Sequence, residues 1–399
     1  MIDQVLNHKL HKKLHEIANI LCNSLLIFNN PGVLAGVSGL ALFMYYYSRF
    51  TGDSKYAEVG EKVLERAVDM INEGFTDHSF CSGLSGFAWT CAHLERYKFI
   101  DRESIAFLEN FEPYLISCME KEFSNKHYDF LYGGVGIGYY FLSKREKNDG
   151  DNKTLYFWLK DSAIRCADGS LKWESVMHDS EKTIVNISLS HGMSSIIVIL
   201  TKICNLYPKS VEARNILFYA IQYVLQQQLP DPVNSYFPTY SLESENNPQP
   251  QSSRLSWCYG DLGISQAIFQ AARALEDKSI EDTAIKILLH NCNRTKMIEN
   301  GVMDAGICHG TSGICHIFNR LYVMTKIELF KEMSVFWLER SIVMDHFSEG
   351  LAGFKSWQGE KYGWNNQFSI LEGIIGIGLC FLSQLNPDLI NWDECLLLN

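Results

Sequence analysis

A short glycine-containing bend recurs seven times along the chain, and an apolar stretch follows each copy directly. Six copies have the form G-x-x-G, and Ser195 replaces the second glycine in the fourth. The first glycines are separated by 47, 50, 59, 68, 50 and 63 residues, a spacing typical of a repeat architecture. The copies span residues 36–39, 83–86, 133–136, 192–195, 260–263, 310–313 and 373–376.

Each repeat is long enough for two helices. Segments 213–225 and 56–71 place their apolar residues on one face, and Pro230 ends the first of these patterns. The stretches after the bends are apolar nearly all round, as expected of helices buried on every side. We therefore predict an all-α fold, an α/α toroid of seven helical hairpins with an inner and an outer ring. The toroid is expected to form a single domain over residues 1–399.

Two stretches interrupt the repeat. Residues 144–182 are charged and glycine-bearing at first and then mixed, which predicts a surface excursion. Residues 230–253 hold five of the nine prolines together with Ser, Asn and Gln, which predicts a long irregular loop. Because this loop leads into Arg254 and Cys258, it is expected to border the mouth of the toroid, either as a substrate-binding wall or as a disordered segment.

The composition is that of a globular protein, with 47% hydrophobic and 20% charged residues. A net charge of -11 argues against a nucleic-acid binder, which would carry a basic surface. No apolar run approaches the roughly 18 residues of a membrane helix, and the first residues lack a signal-peptide core. Twelve cysteines without a regular framework favour reduced thiols. We therefore expect a cytoplasmic protein.

The residues just before the bends differ between copies. One position before the first glycine, copies four to six carry His191, Tyr259 and His309. Two positions before it, copies five and six carry Cys258 and Cys308. The first two copies have small residues directly before the glycine, and there the glycines are taken as packing and turn residues. Since equivalent positions of a closed toroid lie on one rim, we expect these five side chains to meet at its mouth.

Cys258, Cys308 and His309 form a candidate metal site. Thiolate and imidazole suit a borderline-soft metal such as zinc, and three protein ligands leave one tetrahedral position open, as in catalytic sites. Two thiolates already neutralise the charge of Zn²⁺, so such a site is poorly suited to making hydroxide. It suits a substrate thiol, whose deprotonation zinc favours. Thiol addition or transfer is the predicted reaction class. The other ten cysteines are taken as buried apolar residues.

Three further side chains belong to the same approach loops. His191 could act as general acid or base, or could be a hydrogen-bonded core histidine. Asp129, four residues before Gly133, could orient His191 or pair with Arg254, which lies six residues before Gly260. Either charge could instead be a capping or surface group. Glu372 shares the register in the last copy and is left unassigned.

With these residues, the chain resembles the lanthionine synthetase C-like family of lanthipeptide cyclases. The resemblance spans nearly the whole chain through the seven bends. It is most specific in Ser-Trp-Cys258-Tyr-Gly, Cys308-His309-Gly and Ser190-His191-Gly. It implies an α/α toroid and one zinc ion per chain held by Cys258, Cys308 and His309. The residues that it implies in the surrounding active site are His191, Asp129, Arg254 and Tyr259.

The resemblance also implies a reaction. Cysteine thiols of a dehydrated precursor peptide would add to dehydroalanine or dehydrobutyrine of the same peptide in a Michael-type step. Protonation of the enolate would then give lanthionine or methyllanthionine rings. His191 is expected to transfer the proton, with Arg254 and Asp129 holding the geometry or stabilising the enolate. A separate dehydratase would supply the substrate, and a complex with it and an exporter would bring the cytoplasmic protein to the membrane surface.

Three alternatives remain open at the level of sequence. A related enzyme could use the same site to add glutathione, or another small thiol, to dehydroamino acids in proteins. Glycoside hydrolases also use α/α toroids, but they need two opposed carboxylates, and only Asp129 and Glu372 qualify. A non-catalytic scaffold could keep zinc for structure, although a fourth protein ligand is then expected.

Overall fold

The computed structural model describes residues 3–144, 149–176, 183–230, 234–243 and 252–399. Most of these residues are helical, as predicted, and the strands are short. The α-helices of the described ranges are α1 Gln4–Leu21, α2 Val37–Thr51, α3 Lys55–Asn72, α4 Leu84–Arg96, α5 Glu112–Ser124, α6 Gly134–Ser143, α7 Asp149–Asp161, α8 Met193–Leu206, α9 Val211–Leu225, α10 Asp261–Leu275, α11 Lys278–Asn291, α12 Thr311–Thr325, α13 Glu328–Ile342 and α14 Ile374–Leu385. None of them is long and apolar enough to cross a membrane.

Short elements fill some of the connections. Three antiparallel pairs of two-residue strands are formed by β1 Ile164–Arg165 with β2 Leu171–Lys172, β3 Ser175–Val176 with β4 Thr183–Ile184, and β5 Ser356–Trp357 with β6 Trp364–Asn365. Single turns of 3₁₀ helix lie at Leu25–Ile27, Ile298–Asn300 and Pro387–Leu389, and longer ones at Glu103–Asn110 and Asn391–Leu396. None of the twelve cysteines, all of which lie in the described ranges, forms a disulfide bond.

Seven α-helices begin directly after the first glycine of a bend, which confirms that the bends open the apolar helices. These are α2, α4, α6, α8, α10, α12 and α14. Most of their side chains are buried all round, as α10 shows from Asp261 to Ala272. The helices after them are amphipathic, since α9 buries Ala213, Ile216, Leu217 and Ala220 on one face.

The bends share a backbone turn that explains their glycines. The N–H of the first helical residue donates to the carbonyl seven residues earlier, as in Val37 to Asn30 and Thr311 to Asp304, both at 3.0 Å. A Cβ atom on Gly192 would lie only 1.9 Å from a backbone oxygen, closer than any side chain tolerates. Gly260 has in addition a φ of +106°, a conformation that favours glycine.

The chain divides into two compact units. One comprises Met1–Asp77, Cys81–Thr90 and Thr295–Asn399, and the other comprises His78–Phe80 and Cys91–Arg294. In the first unit α2 packs on α3 and α12 on α13, whereas α14 takes its partner from the opposite end of the sequence and packs on α1. In the second unit α5 and α7 pack on α6, α9 packs on α8, and α11 packs on α10. That residues 1–399 form a single domain stays a prediction.

Part of the expected excursion at 144–182 is helical. Helix α7 lies within it and buries Leu155 and Leu159, and Trp173 after it is fully buried. Leu155 packs where Gly138 of α6 has no side chain, so α7 is the second helix of the third repeat. The leucines four residues apart were the sequence signal, and the charged residues around them obscured it. Residues 145–148 and 177–182 lie outside the described ranges.

The described part of the expected loop at 230–253 is irregular. Residues 234–243 and 252–253 form neither helix nor strand, apart from an isolated bridge between Pro238 and Ser252. Phe237 is fully buried, so this part of the loop packs against the protein. Residues 231–233 and 244–251 of the predicted loop lie outside the described ranges.

Candidate functional site

Cys258, Cys308 and His309 bring one donor atom each to a common point. The two Sγ atoms and an imidazole nitrogen all lie within 4.8 Å of one another. Within the ranges that the structure describes, this is the one group of three or more such side chains that could hold a metal ion. Cys258 is 5% exposed, and the other two residues are half-buried.

This donor set fits zinc. Ligand atoms that lie about 2.0–2.3 Å from a tetrahedral zinc ion are roughly 3.3–3.8 Å apart, which is compatible with the observed limit of 4.8 Å. Two thiolates and one imidazole are ligands that zinc prefers, and they leave one tetrahedral position for another group. The fit rests on the chemistry and spacing of the three side chains.

Backbone hydrogen bonds between bends fix both cysteines. The carbonyl of Cys258 accepts N–H bonds from Leu189 and Ser190, at 3.2 and 3.5 Å. The N–H of Cys308 donates to the carbonyl of Leu371 at 2.8 Å. In each case the contact joins a bend to the next one along the chain. The residue two positions before the first glycine of these bends is therefore held by main-chain contacts, which do not depend on its side chain.

A buried aspartate supports each of the two bends. Asp304 is 3% exposed, and its carboxylate accepts N–H bonds from Gly306 and Trp357 at 2.9 and 2.8 Å. Asp261 is fully buried and accepts N–H bonds from Tyr236 and Phe237 at 2.8 and 2.9 Å. Asp304 thus ties the Cys308 bend to strand β5, and Asp261 ties helix α10 to the loop before Cys258.

Arg294 completes the support around Asp261. Its guanidinium lies 3.6 Å from the Asp261 carboxylate and donates to the carbonyl of Ser253 at 2.7 Å. Burial, the largest influence, raises the pKa of Asp261, against the opposing effect of Arg294 and the two N–H donors. Tyr236 and Phe237 near the start of the described loop, and Ser253 at its end, are therefore bonded to the same buried ion pair. Its aspartate lies three residues after Cys258.

His191 and Asp129 form the second part of the site. His191 Nδ1 lies 2.6 Å from Asp129 Oδ2, and the carboxylate can only accept, so Nδ1–H is the donor. The other carboxylate oxygen of Asp129 accepts N–H bonds from Leu131 and Tyr132, at 2.6 and 2.9 Å. Asp129 therefore orients the imidazole and leaves Nε2 to exchange a proton.

The environment of His191 raises the pKa of its imidazole. Burial is the largest influence and lowers the pKa, but the hydrogen bond and charge of Asp129 outweigh it, and the thiol of Cys258 acts in the same direction. The protonated form is thereby favoured beyond the ordinary value for histidine. A ring of this kind is suited to giving a proton near neutral pH.

Two tyrosines flank His191. The Tyr132 ring stacks on the imidazole with centroids 6.2 Å apart, and the Tyr259 ring lies at 5.7 Å. Burial raises the pKa of Tyr259, and the nearby Tyr240, Cys258 and Asp129 act in the same direction against the hydrogen bond from Asn186. Tyr259 is therefore a neutral phenol that can donate a hydrogen bond.

A cavity of about 710 Å³ opens beside these residues. His191, Asp129 and Tyr259 line it, and so does a cluster in which Glu122 contacts His78 and His127. The residues that line it are His78, Glu122, His127, Asp129, Tyr132, Gly133, Ser175, Val176, Ile184, Asn186, His191 and Tyr259. The cavity gives the site room for a substrate much larger than a single amino acid.

Arg254 and Glu372 are the remaining sequence candidates. The Arg254 side chain is exposed and does not contact Asp129, whose partner among the described residues is His191. Glu372 accepts a hydrogen bond from Gln358 at 2.8 Å. Of the two pairings considered for Asp129, the structure has the one with His191. That Arg254 acts in the active site stays a prediction.

Sequence reasoning missed several cavity residues. Tyr132 stands directly before Gly133, the position held by His191 in the next bend, so the same register could have found it. Asn186 lies six residues before its bend, as Arg254 does. His127 lies six residues before Gly133 and shares that position, whereas no sequence signal pointed to His78 or Glu122.

Comparisons with known proteins identify the family of the chain. The lanthionine synthetase C-like protein family matches residues 28–397. The nisin biosynthesis protein NisC of Lactococcus lactis subsp. lactis is 25% identical over 396 residues, which cover 93% of this chain and 90% of NisC. A solved structure of nisin cyclase matches with a TM-score of 0.71 at 20% identity, over 99% of this chain and 98% of that one. The predicted α/α-toroid fold is thereby confirmed, and the chain belongs to the lanthionine synthetase C-like family.

Proposed function

We propose that the chain is a zinc-dependent lanthipeptide cyclase. Its substrate would be a dehydrated precursor peptide, and its products (methyl)lanthionine thioether rings. The observation that carries the proposal is the convergence of Cys258, Cys308 and His309 within 4.8 Å. Membership of the family and the similarity to NisC, a nisin biosynthesis protein, support it.

The metal chemistry follows from the ligands. Zinc held by Cys258, Cys308 and His309 would lower the pKa of the substrate's cysteine thiol and keep the bound sulfur nucleophilic. The thiolate sulfur forms a bond to the β-carbon of a dehydroalanine or dehydrobutyrine. The electron pair of the double bond moves to the α-carbon and its carbonyl as an enolate, which then needs a proton.

His191 is the proposed proton donor. Its Nδ1–H is engaged with Asp129 at 2.6 Å, so a proton on Nε2 is the one that can move to the α-carbon. The raised pKa of the imidazole makes the protonated form available near neutral pH. The neutral phenol of Tyr259 is proposed to stabilise the enolate oxygen by a hydrogen bond. Arg254 is proposed to contribute positive charge near the enolate when peptide is bound.

The proposed substrate requires other enzymes. A separate dehydratase would convert serine and threonine of the precursor into the dehydroamino acids. An exporter would remove the finished peptide, and a complex with it would bring a cytoplasmic cyclase to the membrane surface. Co-purification of the chain with such proteins would test this part of the proposal.

The decisive experiment measures ring formation on a dehydrated peptide that contains cysteine. Cyclisation leaves the peptide mass unchanged but removes a free thiol, which alkylation followed by mass spectrometry detects. We expect the zinc-loaded wild type to remove thiols and Cys308→Ala to leave them at the uncatalysed rate. Equal thiol loss in both proteins would contradict the proposal.

The same experiment separates the small-thiol alternative. With glutathione present at the concentration of the peptide, an intermolecular enzyme would increase the peptide mass by one glutathione per dehydroamino acid. The cyclase proposal predicts thiol loss without this mass increase. Enzyme-dependent glutathione adducts on a peptide that lacks cysteine would favour the alternative.

A further inference from the structure

His78, Glu122 and His127 line the same cavity as His191, and the proposed reaction has no role for them. Glu122 Oε1 lies 3.2 Å from His78 Nε2, and Glu122 Oε2 lies 3.0 Å from His127 Nδ1. The carboxylate side chain is only 12% exposed. These three residues, called the Glu122 cluster below, thus hold a largely buried carboxylate at the wall of the cavity.

Glu122 occupies a position that disfavours a negative charge. It lies in the last turn of α5, where the helix dipole disfavours a negative charge. Burial is the largest influence on its pKa and raises it, but the contacts with His78 and His127 bring the pKa below the ordinary value. The carboxylate is therefore ionised at neutral pH. A charge maintained in this way in a cavity is typical of a binding or reacting group.

The hydrogen bonds determine what the cluster offers to a ligand. An ionised carboxylate only accepts, so His78 donates its Nε2–H and His127 its Nδ1–H. The two bonds use two of about four acceptor positions on the carboxylate. The Glu122 cluster consequently presents acceptors to the cavity.

The charge of the cavity points to the same class of ligand. Its lining includes the carboxylates of Glu122 and Asp129 but neither lysine nor arginine. Asp129 is bound to His191 at 2.6 Å, whereas Glu122 is bound to His78 and His127. The whole chain carries a net charge of -11. A cation with several N–H donors would be attracted, and an anion would be repelled.

We propose that the Glu122 cluster binds a lysine or arginine side chain of the peptide whose dehydroamino acid lies near His191. This inference rests on the proposed function, since it takes the ligand to be a peptide substrate. Lysine offers three donors and arginine five, which match the acceptors of the cluster. The volume of about 710 Å³ is that of pockets which hold ligands of several hundred daltons, so a short peptide segment fits. Tyr132, Val176 and Ile184 also line the cavity and offer apolar surface to the peptide segment.

The test is a binding measurement with peptides that cannot react. Serine replaces cysteine and alanine replaces the dehydroamino acid, and a single lysine is moved one position at a time along the peptide. Calorimetry with the zinc-loaded wild type should identify a position where lysine binds about tenfold more tightly than norleucine, its uncharged isostere. Glutamate at that position should bind more weakly than norleucine. If lysine binds no better than norleucine at every position, the inference fails.

Two matched variants locate the effect. Glu122→Gln keeps the size of the side chain and removes the charge, and it should reduce the lysine preference to within about twofold. Glu112→Gln is the control, since Glu112 lies on the same helix, is similarly buried and pairs with Lys144 outside the cavity. It should keep the tenfold preference. A full preference in Glu122→Gln would overturn the inference, and the peptide series on the wild type stands even if this variant does not fold.

The inference and the proposed function can fail separately. If the wild type forms no thioether rings but binds lysine peptides in a Glu122-dependent manner, the proposed function is wrong and the binding site stands. If rings form, the ratio of kcat/KM for the lysine peptide to that for the norleucine peptide is compared between the wild type and Glu122→Gln. An equal ratio in the two proteins would mean that the function stands and the inference is wrong.

Discussion

Bends two and five carry a cysteine at the same position, yet in the described part of the chain only the cysteine of bend five belongs to a group that could hold a metal ion. Both lie two residues before the first glycine, and both are buried, Cys81 at 1% and Cys258 at 5% exposure. The carbonyl of Cys81 accepts two N–H bonds from the preceding bend, at 3.1 Å each, just as that of Cys258 does. The two cysteines therefore have the same backbone hydrogen bonds to the preceding bend.

The difference lies in the side chains of the neighbouring bends. The bend that donates to Cys81 has Ala35 directly before its glycine, and Ser82 follows Cys81. The bend that donates to Cys258 has His191 in that place. The bends thus share equivalent backbone positions, and only some of them carry side chains there that could hold a metal ion or exchange a proton.

The largest expected effect tests this comparison through metal binding. Cys258→Ala and Cys308→Ala should each reduce zinc from about one ion per chain to a small fraction, because two remaining ligands bind far more weakly than three. Cys81→Ala should keep about one zinc and lose only about 1–2 kcal/mol of unfolding free energy through the cavity it leaves. Metal analysis of proteins prepared without added zinc measures both. Zinc loss from Cys81→Ala would mean that the two cysteines are not functionally distinct.

A smaller effect is expected for the residue directly before the first glycine of a bend. His191→Gln should lower the rate of ring formation by roughly 10²–10⁴-fold, the usual contribution of a general acid, and should retain zinc. Ser82→Ala changes the same position of bend two and should leave the rate unchanged, because Ser82 does not line the cavity beside His191. Cyclisation rates at saturating peptide, with zinc content alongside, distinguish the two. A full rate in His191→Gln would assign the proton to another group.

The smallest expected effect concerns the second glycine of the bends. A Cβ atom on Gly263 would lie 2.2 Å from the carbonyl oxygen of Trp257, so Gly263→Ser should cost about 1–3 kcal/mol of unfolding free energy. Bend four already has Ser195 there, fully buried and bonded through its hydroxyl to the Gly192 carbonyl at 2.7 Å. Ser195→Gly should cost about 1 kcal/mol. Urea unfolding of both variants measures this, and equal costs would show that the two bends have the same geometry.

The repeat was predictable because its cause is steric. Glycine is required where a Cβ atom would meet a backbone oxygen, so the spacing of the glycines marked the start of seven helices. The same register led to the prediction that side chains just before the bends, including Cys258, Cys308 and His191, lie at the site. It would also have indicated Tyr132, had the position before every bend been considered.

Other features depend on contacts that local sequence does not encode. Helix α7 was missed because charged residues precede Leu155 and Leu159, whose burial comes from packing on α6. The Glu122 cluster joins a helix end to two loops, and each of its residues alone resembles an ordinary surface group. The exposure of Arg254 depends on the path of its loop, which its distance from Gly260 in sequence did not determine.

The pairing of α1 with α14 has a consequence for how the chain folds. Helix α14 begins 353 positions after α1 ends, so this hairpin is closed by a contact of very long range. Contacts of high sequence separation form slowly, and a ribosome releases the N-terminal helix long before its partner exists. The buried face of α1, with Leu10, Leu14 and Ile17, must then remain exposed or be shielded during synthesis. We expect the docking of α1 to be a late folding step, and the nascent chain to be prone to aggregation until α14 has emerged.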